Sequence, residues 1–235
     1  MNYTELAARI KAYCENDFPQ AVGAGGLTST EQIDTFIQQA EQRIYNSVQF
    51  PSLRKNVAGS MTAGNRYLSA PTDFLATYSI AVIDPVTDEY LFLLNKDVNF
   101  IRESFPSPLD QGKPYCYALF GPAVSGGSPP VISNELTFLI GPTPDLSYDV
   151  ELDYYYYPDS ITTAASGQTW LGDNFDSVLL YGAMMEAAAF MKSEKDIVEQ
   201  YMGRYNEALM LAKRLGDGME RQDAYRSGQF RMEVK

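Results

Sequence analysis

Histidine is missing from this chain altogether. That absence removes Ser-His-Asp and Cys-His nucleophile systems and every metal site that needs an imidazole. Carboxylate, lysine or tyrosine chemistry stays open, but catalysis becomes the less favoured reading, and neither metal nor cofactor is expected. Cysteine is scarce: Cys14 and Cys116 have no motif spacing and read as free, buried thiols. Positive charge is short as well, with 18 Lys and Arg against 30 Asp and Glu and a net charge of −12. Gripping nucleic acid takes the opposite balance, a basic patch that displaces counterions from phosphates. An acidic surface repels DNA, which suits the wall of a conduit through which DNA slides. Long hydrophobic runs are lacking too: Val178 to Phe190 is interrupted by Glu186 and is too short for a hydrocarbon core of about 30 Å. Met1 leads into a polar, acid-containing helical pattern with no basic segment, so no secretory leader is expected. The expectation is a soluble protein of one or two domains, made in a cytoplasm.

What is present divides into helical ends and a strand-rich middle. Leu6, Ile10 and Tyr13 recur at helical spacing over Tyr3 to Glu15. After "VGAGGLTST", a second helix is expected from about Thr30 to Gln49. Its stripe is Ile33, Phe36, Ile37, Ala40, Ile44 and Val48, with capping pairs Thr28/Glu31 and Ser29/Gln32 at its start and Pro51 closing it. "GAGG" lacks a preceding strand and the Lys-Ser/Thr of a phosphate-binding loop, so it reads as a linker.

From Leu53 to Pro158 short runs alternate with turn signals such as "TAGN", "DPVTDE" and "GPTPD". Strands are expected at 54–61, 66–69, 77–83, 90–94, 114–120, 135–140 and 147–157, with one short helix at 97–104 and a longer loop at 121–134. Helices return over 174–192 and 195–215, and Gly216 and Gly218 are expected to stop the last one. The 174–192 helix should bury Phe175, Val178, Leu179, Gly182, Met185, Ala189 and Phe190. The fold class is therefore α+β: a four-helix bundle from both chain ends (1–52 and 170–216) with an inserted antiparallel β-sandwich or barrel-like domain (53–169). An extended C-terminal arm, 217–235, follows.

Three features invite a chemical reading. Asp149, Glu151 and Asp153 alternate along one strand, placing them on one face. Same-face neighbours stand about 6.6–6.8 Å apart, so three cannot converge on one calcium ion. A solvated face or a DNA-repelling wall fits better. Glu186, inside an apolar helix, is expected to pair with Arg43 or Arg204 or to face a neighbouring subunit, a reading favoured over a catalytic acid. The run Tyr154–Tyr157 divides across the strand: Tyr154 and Tyr156 join the Val150–Leu152 packing face, and Tyr155 and Tyr157 end the acidic face. Tyrosine with a packed ring and a wet hydroxyl favours an interdomain or intersubunit contact there. A sugar-stacking platform on Tyr155 and Tyr157 is the alternative.

Five stretches carry a wider resemblance: "FIQQAEQRIYNSVQFPSLRKNVAGSMTAGNRYLSAPTDFL", "LLNKDVNFIRESFP", "FLIGPTPD…VELDYYYYP", "TWLGDNFDSVLLYGAMMEAAAFMK" and "RYNEALMLAKRLGDGMERQDAYRSGQFR". In this order, and nearly end to end, the chain resembles the head-to-tail adaptor proteins of short-tailed bacteriophages, of the kind called tail tubular protein A. The resemblance implies a structural virion protein at the head–tail junction. It would form a ring, most often twelve-fold, below the portal. A helical bundle would be paired with a β domain, and a C-terminal arm would dock on the portal. Arg221, Tyr225, Arg226 and Phe230 are then the implied portal contacts. The ring would receive a nozzle or tail tube, and DNA would pass through its lumen without specific binding and without any membrane contact. The rival class is a glycan-binding module or a carboxylate/tyrosine hydrolase of the phage tail.

Overall fold

Both N-terminal helices begin at reciprocal caps. In α1 (Tyr3–Cys14) the Asn2 side chain accepts the Glu5 amide proton while Glu5 accepts from the Asn2 amide, so two otherwise orphaned donors are satisfied. In α2 (Ser29–Ser47) the Thr28/Glu31 pair forms the capping box. Leu6 and Ile10 of α1 are fully buried, as are Ile37, Ala40 and Ile44 of the α2 stripe. The computed structural model describes residues 1–20, 25–124 and 132–227.

The helices that follow the strand region are α4 (Trp170–Asn174), α5 (Asp176–Met191) and α6 (Lys195–Ser227). α5 packs against α1, α2, α4 and α6. That central position explains a departure from the expected stripe. Leu180, Ala183, Met184, Ala187 and Ala188 are buried besides Val178, Leu179 and Gly182, whereas Ala189 and Phe190 are exposed. A helix surrounded on several sides buries more than one stripe. Gly182 lets two neighbouring helices come close: a Cβ there would lie 3.1 Å from Ala40 Cβ and 3.3 Å from the Tyr205 ring.

α6 does not stop at Gly216 and Gly218. It continues to Ser227, so the extended arm expected from residue 217 is helical over its first turns. Gly216 has a packing role instead of a terminating one: a Cβ there would sit 2.9 Å from the Gln49 carbonyl oxygen and 3.1 Å from Val48 Cγ1. Glycine lets the two backbones approach where alanine could not.

The middle of the chain builds three sheets among the described residues. Their strands are β1 (Arg54–Met61), β2 (Tyr67–Ser69), β3 (Ala76–Ile83), β4 (Tyr90–Phe92), β5 (Leu94–Asn95), β6 (Gln111–Gly112), β7 (Cys116–Val124), β8 (Ile132–Gly141), β9 (Thr143–Pro144) and β10 (Tyr148–Tyr155), with α3 (Val98–Ser104) between β5 and β6. One sheet has the order β1-β10-β3-β4, a second β2-β8-β7-β5, and the third is the parallel pair β6-β9. The two-residue strands β6 and β9 were not legible beforehand, being too short to show a period. β7 and β8 extend into the expected 121–134 loop, and residues 125–131 of it lie outside the described residues.

The two larger sheets share a core in which Val150, Leu152, Ile80 and Val82 of the first meet Tyr117, Phe138 and Ile140 of the second. α3 covers the other face of the second sheet, with Ile101, Val98 and Phe105 on Cys116, Ala118 and Leu139. The chain divides into two compact units, Arg54–Tyr156 and the helical ends with Tyr157 onward. Residues 157–169, read with the β region from sequence, belong to the helical unit. Ile161 is buried there and its amide donates to Glu41 of α2.

Candidate interaction surfaces

In the sheet unit, β10 alternates as the sequence pattern requires, with Tyr148, Val150, Leu152 and Tyr154 buried and the residues between them more open. Tyr154 is 1% exposed, its ring stacks on Phe74, and Tyr156 packs half-buried beside the same core. The Tyr154 hydroxyl donates to Asp73 Oδ1 at 2.8 Å, and Lys55 Nζ holds Oδ2 at 2.7 Å. The Lys55 contact, foremost, holds the Asp73 carboxyl below the usual carboxylate range. Burial, followed by that same carboxylate, pushes the Tyr154 phenol up.

The opposite face of this sheet carries Asp149, Glu151 and Asp153, which pair across β1 with Ser60, Ala58 and Asn56. Asp153 is engaged from both sides, accepting from Asn56 Nδ2 and Ser79 Oγ at 2.8 Å each. Glu151 has the Tyr90 hydroxyl 3.5 Å away, and Asp149 is exposed. Tyr155 stands edge-on to Tyr78, and the Arg54 guanidinium lies 4.5 Å from the Tyr78 centroid and 5.9 Å from that of Tyr155. The acids thus sit on one face, as expected, but Asp153 is bound into the cross-strand network.

Tyr157 departs from the expectation that it would continue this face. β10 ends at Tyr155, and a register shift between Asp153 and Tyr154 breaks the alternation with β3. Tyr157 belongs to the helical unit: its ring lies 6.4 Å from that of Tyr45, and its hydroxyl donates to Asn46. Tyr155 and Tyr157 therefore have different aromatic partners, Tyr78 and Tyr45.

In the helical unit, Glu186 pairs with Arg43, one of the two arginines expected from sequence. Beside this pair the Tyr205 hydroxyl is buried, and desolvation pushes its pKa up. Sequence reasoning missed Glu41. It is 3% exposed in the middle of α2 and accepts the Ile161 amide at 3.0 Å. Its carboxyl is pushed above the usual range by burial, against the pull of the hydrogen bonds from Ile161 and Ser160. The signal was weak because residue 161 is 120 positions away. A shallow hollow of about 150 Å³ opens beside it, lined by Gln38, Gln42, Tyr45, Tyr157 and Pro158.

Arg221, Tyr225 and Arg226 fall on the last turns of α6, while Phe230 lies outside the described residues. Among the described residues no group of three or more acidic or thiol side chains is arranged to hold a metal ion. No described helix is long and apolar enough to cross a membrane.

Compared with known families, residues 1–232 match the model of the SU10 adaptor protein. No curated protein matches the chain.

Proposed function

The chain belongs to the SU10 adaptor protein family, and from that premise we propose that it is the head-to-tail adaptor of a phage virion, a ring of copies joining the portal to the distal tail. The family makes its role structural, that of a phage adaptor that binds other virion components. The match over 1–232 carries the finer reading, because it takes in the bundle, the β unit and nearly all of the C-terminal segment together.

In this reading twelve copies sit below the portal, a nozzle or tail tube docks on the other side, and DNA passes through the lumen. The net charge of −12 favours passage without adhesion, although at about 0.15 M salt repulsion reaches only about 8 Å. Only acids on the channel wall contribute, and Asp149 and Glu151 are the candidates. Tyr155 and Tyr157 are candidates for contacts with a neighbouring copy. The last turns of α6, with Arg221, Tyr225 and Arg226, dock on the portal.

The test is co-sedimentation with portal rings. Deleting residues 217–235 is expected to abolish binding while circular dichroism and thermal melting show a folded chain. Arg221→Glu combined with Arg226→Glu is expected to weaken binding, with circular dichroism and thermal melting again showing a folded chain. Unchanged binding by both variants would refute the α6 assignment. Absence of any ring in negative-stain images of the parent chain mixed with portal would refute the adaptor ring itself.

A further inference from the structure

Among the described residues β1 is an eight-residue strand at the end of its sheet, paired on one side only, with β10. The pairing runs unbroken from Arg54 opposite Tyr155 to Met61 opposite Tyr148. Sheet edges are usually protected by proline, a bulge, charge or a very short length. β1 has none of these between Asn56 and Ser60, and Lys55 is already engaged with Asp73. The edge is also accessible, since Lys55, Asn56, Ala58, Gly59 and Ser60 are all exposed.

Its core-facing side is unfinished. Val57 and Gly59 pair with Leu152 and Val150, both buried, yet Val57 is only half-buried. A Cβ on Gly59 would meet no atom within 4 Å. The rim of the sandwich therefore has room for apolar side chains that these residues do not supply. A strand laid beside β1 would fill it if its own side chains alternated apolar and polar.

The chain carries one such segment. Residues 229–235 read "QFRMEVK", with Phe230, Met232 and Val234 alternating with Arg231, Glu233 and Lys235. The wider stretch from Met219 hides this period, because its other apolar residues do not keep the spacing. We propose that residues 229–235 of one copy add as a strand to the β1 edge of a second copy. Phe230, Met232 and Val234 would then face the Val57–Gly59 rim. Arg231, Glu233 and Lys235 would join the outer face that holds Asp149 and Glu151, bringing two cations and one further acid to two acids. Each chain has one donor and one acceptor, so the contact is head-to-tail, the kind that closes into rings. The inference rests on the ring reading above and gives Phe230 a role apart from the three α6 residues.

A disulfide trap tests it. Ala58→Cys and Glu233→Cys, both on the outer face, are combined in a Cys14→Ser chain, mixed with portal rings and oxidised. A ladder of covalent oligomers on a non-reducing gel is expected, absent from chains with only one of the two introduced cysteines, in which Cys116 stays buried, and lost when Phe230→Asp is added. Portal-bound rings with no ladder would overturn strand exchange while leaving the ring intact. A disulfide closed within one chain would equally overturn it, because the segment would then serve its own β1. A ladder without rings would support strand exchange and count against the ring reading.

Discussion

Tyr154 donates its hydroxyl proton to Asp73 at 2.8 Å, and the other Asp73 oxygen is held by Lys55, the residue opposite Tyr154 on β1. A phenol that is 1% exposed can keep its hydrogen bond only if a partner reaches it, and Asp73 supplies that partner from the turn before β3. The three groups hold β1 to β10 and both to the segment leading into β3.

Removing the hydroxyl leaves the ring packed on Phe74 and leaves the Asp73 carboxylate to Lys55 and water. Tyr154→Phe is expected to cost about 1 kcal/mol in urea unfolding, since Asp73 is part-exposed and water replaces some of what is lost. In an Asp73→Ala background the same change should cost much less. Equal costs in both backgrounds would show that the two groups do not act together. The Asp73 carboxyl is depressed in the folded state, so its contribution is present above the unfolded value of 3.8 and fades as pH falls through the lower folded value.

Glu41 has the opposite sign. Burial raises its folded pKa above 4.5, so the folded state prefers the protonated form. Its contribution is complete below 4.5 and is lost as pH rises through the folded value, leaving neutral pH the less favourable side. Glu41→Gln retains an oxygen to accept the Ile161 amide. It should leave stability at pH 7 unchanged or higher and flatten the pH profile above 4.5. A loss of more than about 1 kcal/mol at pH 7 would show that the ionised carboxylate is needed to hold the 160–162 segment.

Three helical glycines should respond differently to an added methyl or more. Gly182→Val pushes against Ala40 and Tyr205 and is expected to cost about 1–3 kcal/mol through overpacking. Gly216→Ala meets the Gln49 carbonyl, a backbone atom that cannot rotate aside, so it too should destabilise. Gly203→Ala meets nothing within 4 Å and should stabilise by up to about 1 kcal/mol through helix propensity. Thermal melting of the three variants checks the order. Stabilisation by all three would mean that the bundle is looser at Gly182 and Gly216 than the distances indicate.

Local chemistry in the sequence was sufficient for the α1 and α2 starts, for β1 and for the inward set of β10, because each depends on neighbours within a few residues. The Thr28/Glu31 box and the Tyr148–Val150–Leu152–Tyr154 alternation are of this kind. The tertiary structure decided what those rules cannot reach. Gly216 and Gly218 were expected to end α6, but backbone packing at Val48 and Gln49 makes Gly216 an interior contact. Tyr157 was expected to follow Tyr155 on one face, but β10 ends first and α2 takes Tyr157. Glu41, Asp73 and Arg43 owe their roles to groups 18 to 143 positions distant in the chain. Such partners are chosen by how elements pack, and period and capping within one element carry no record of that choice.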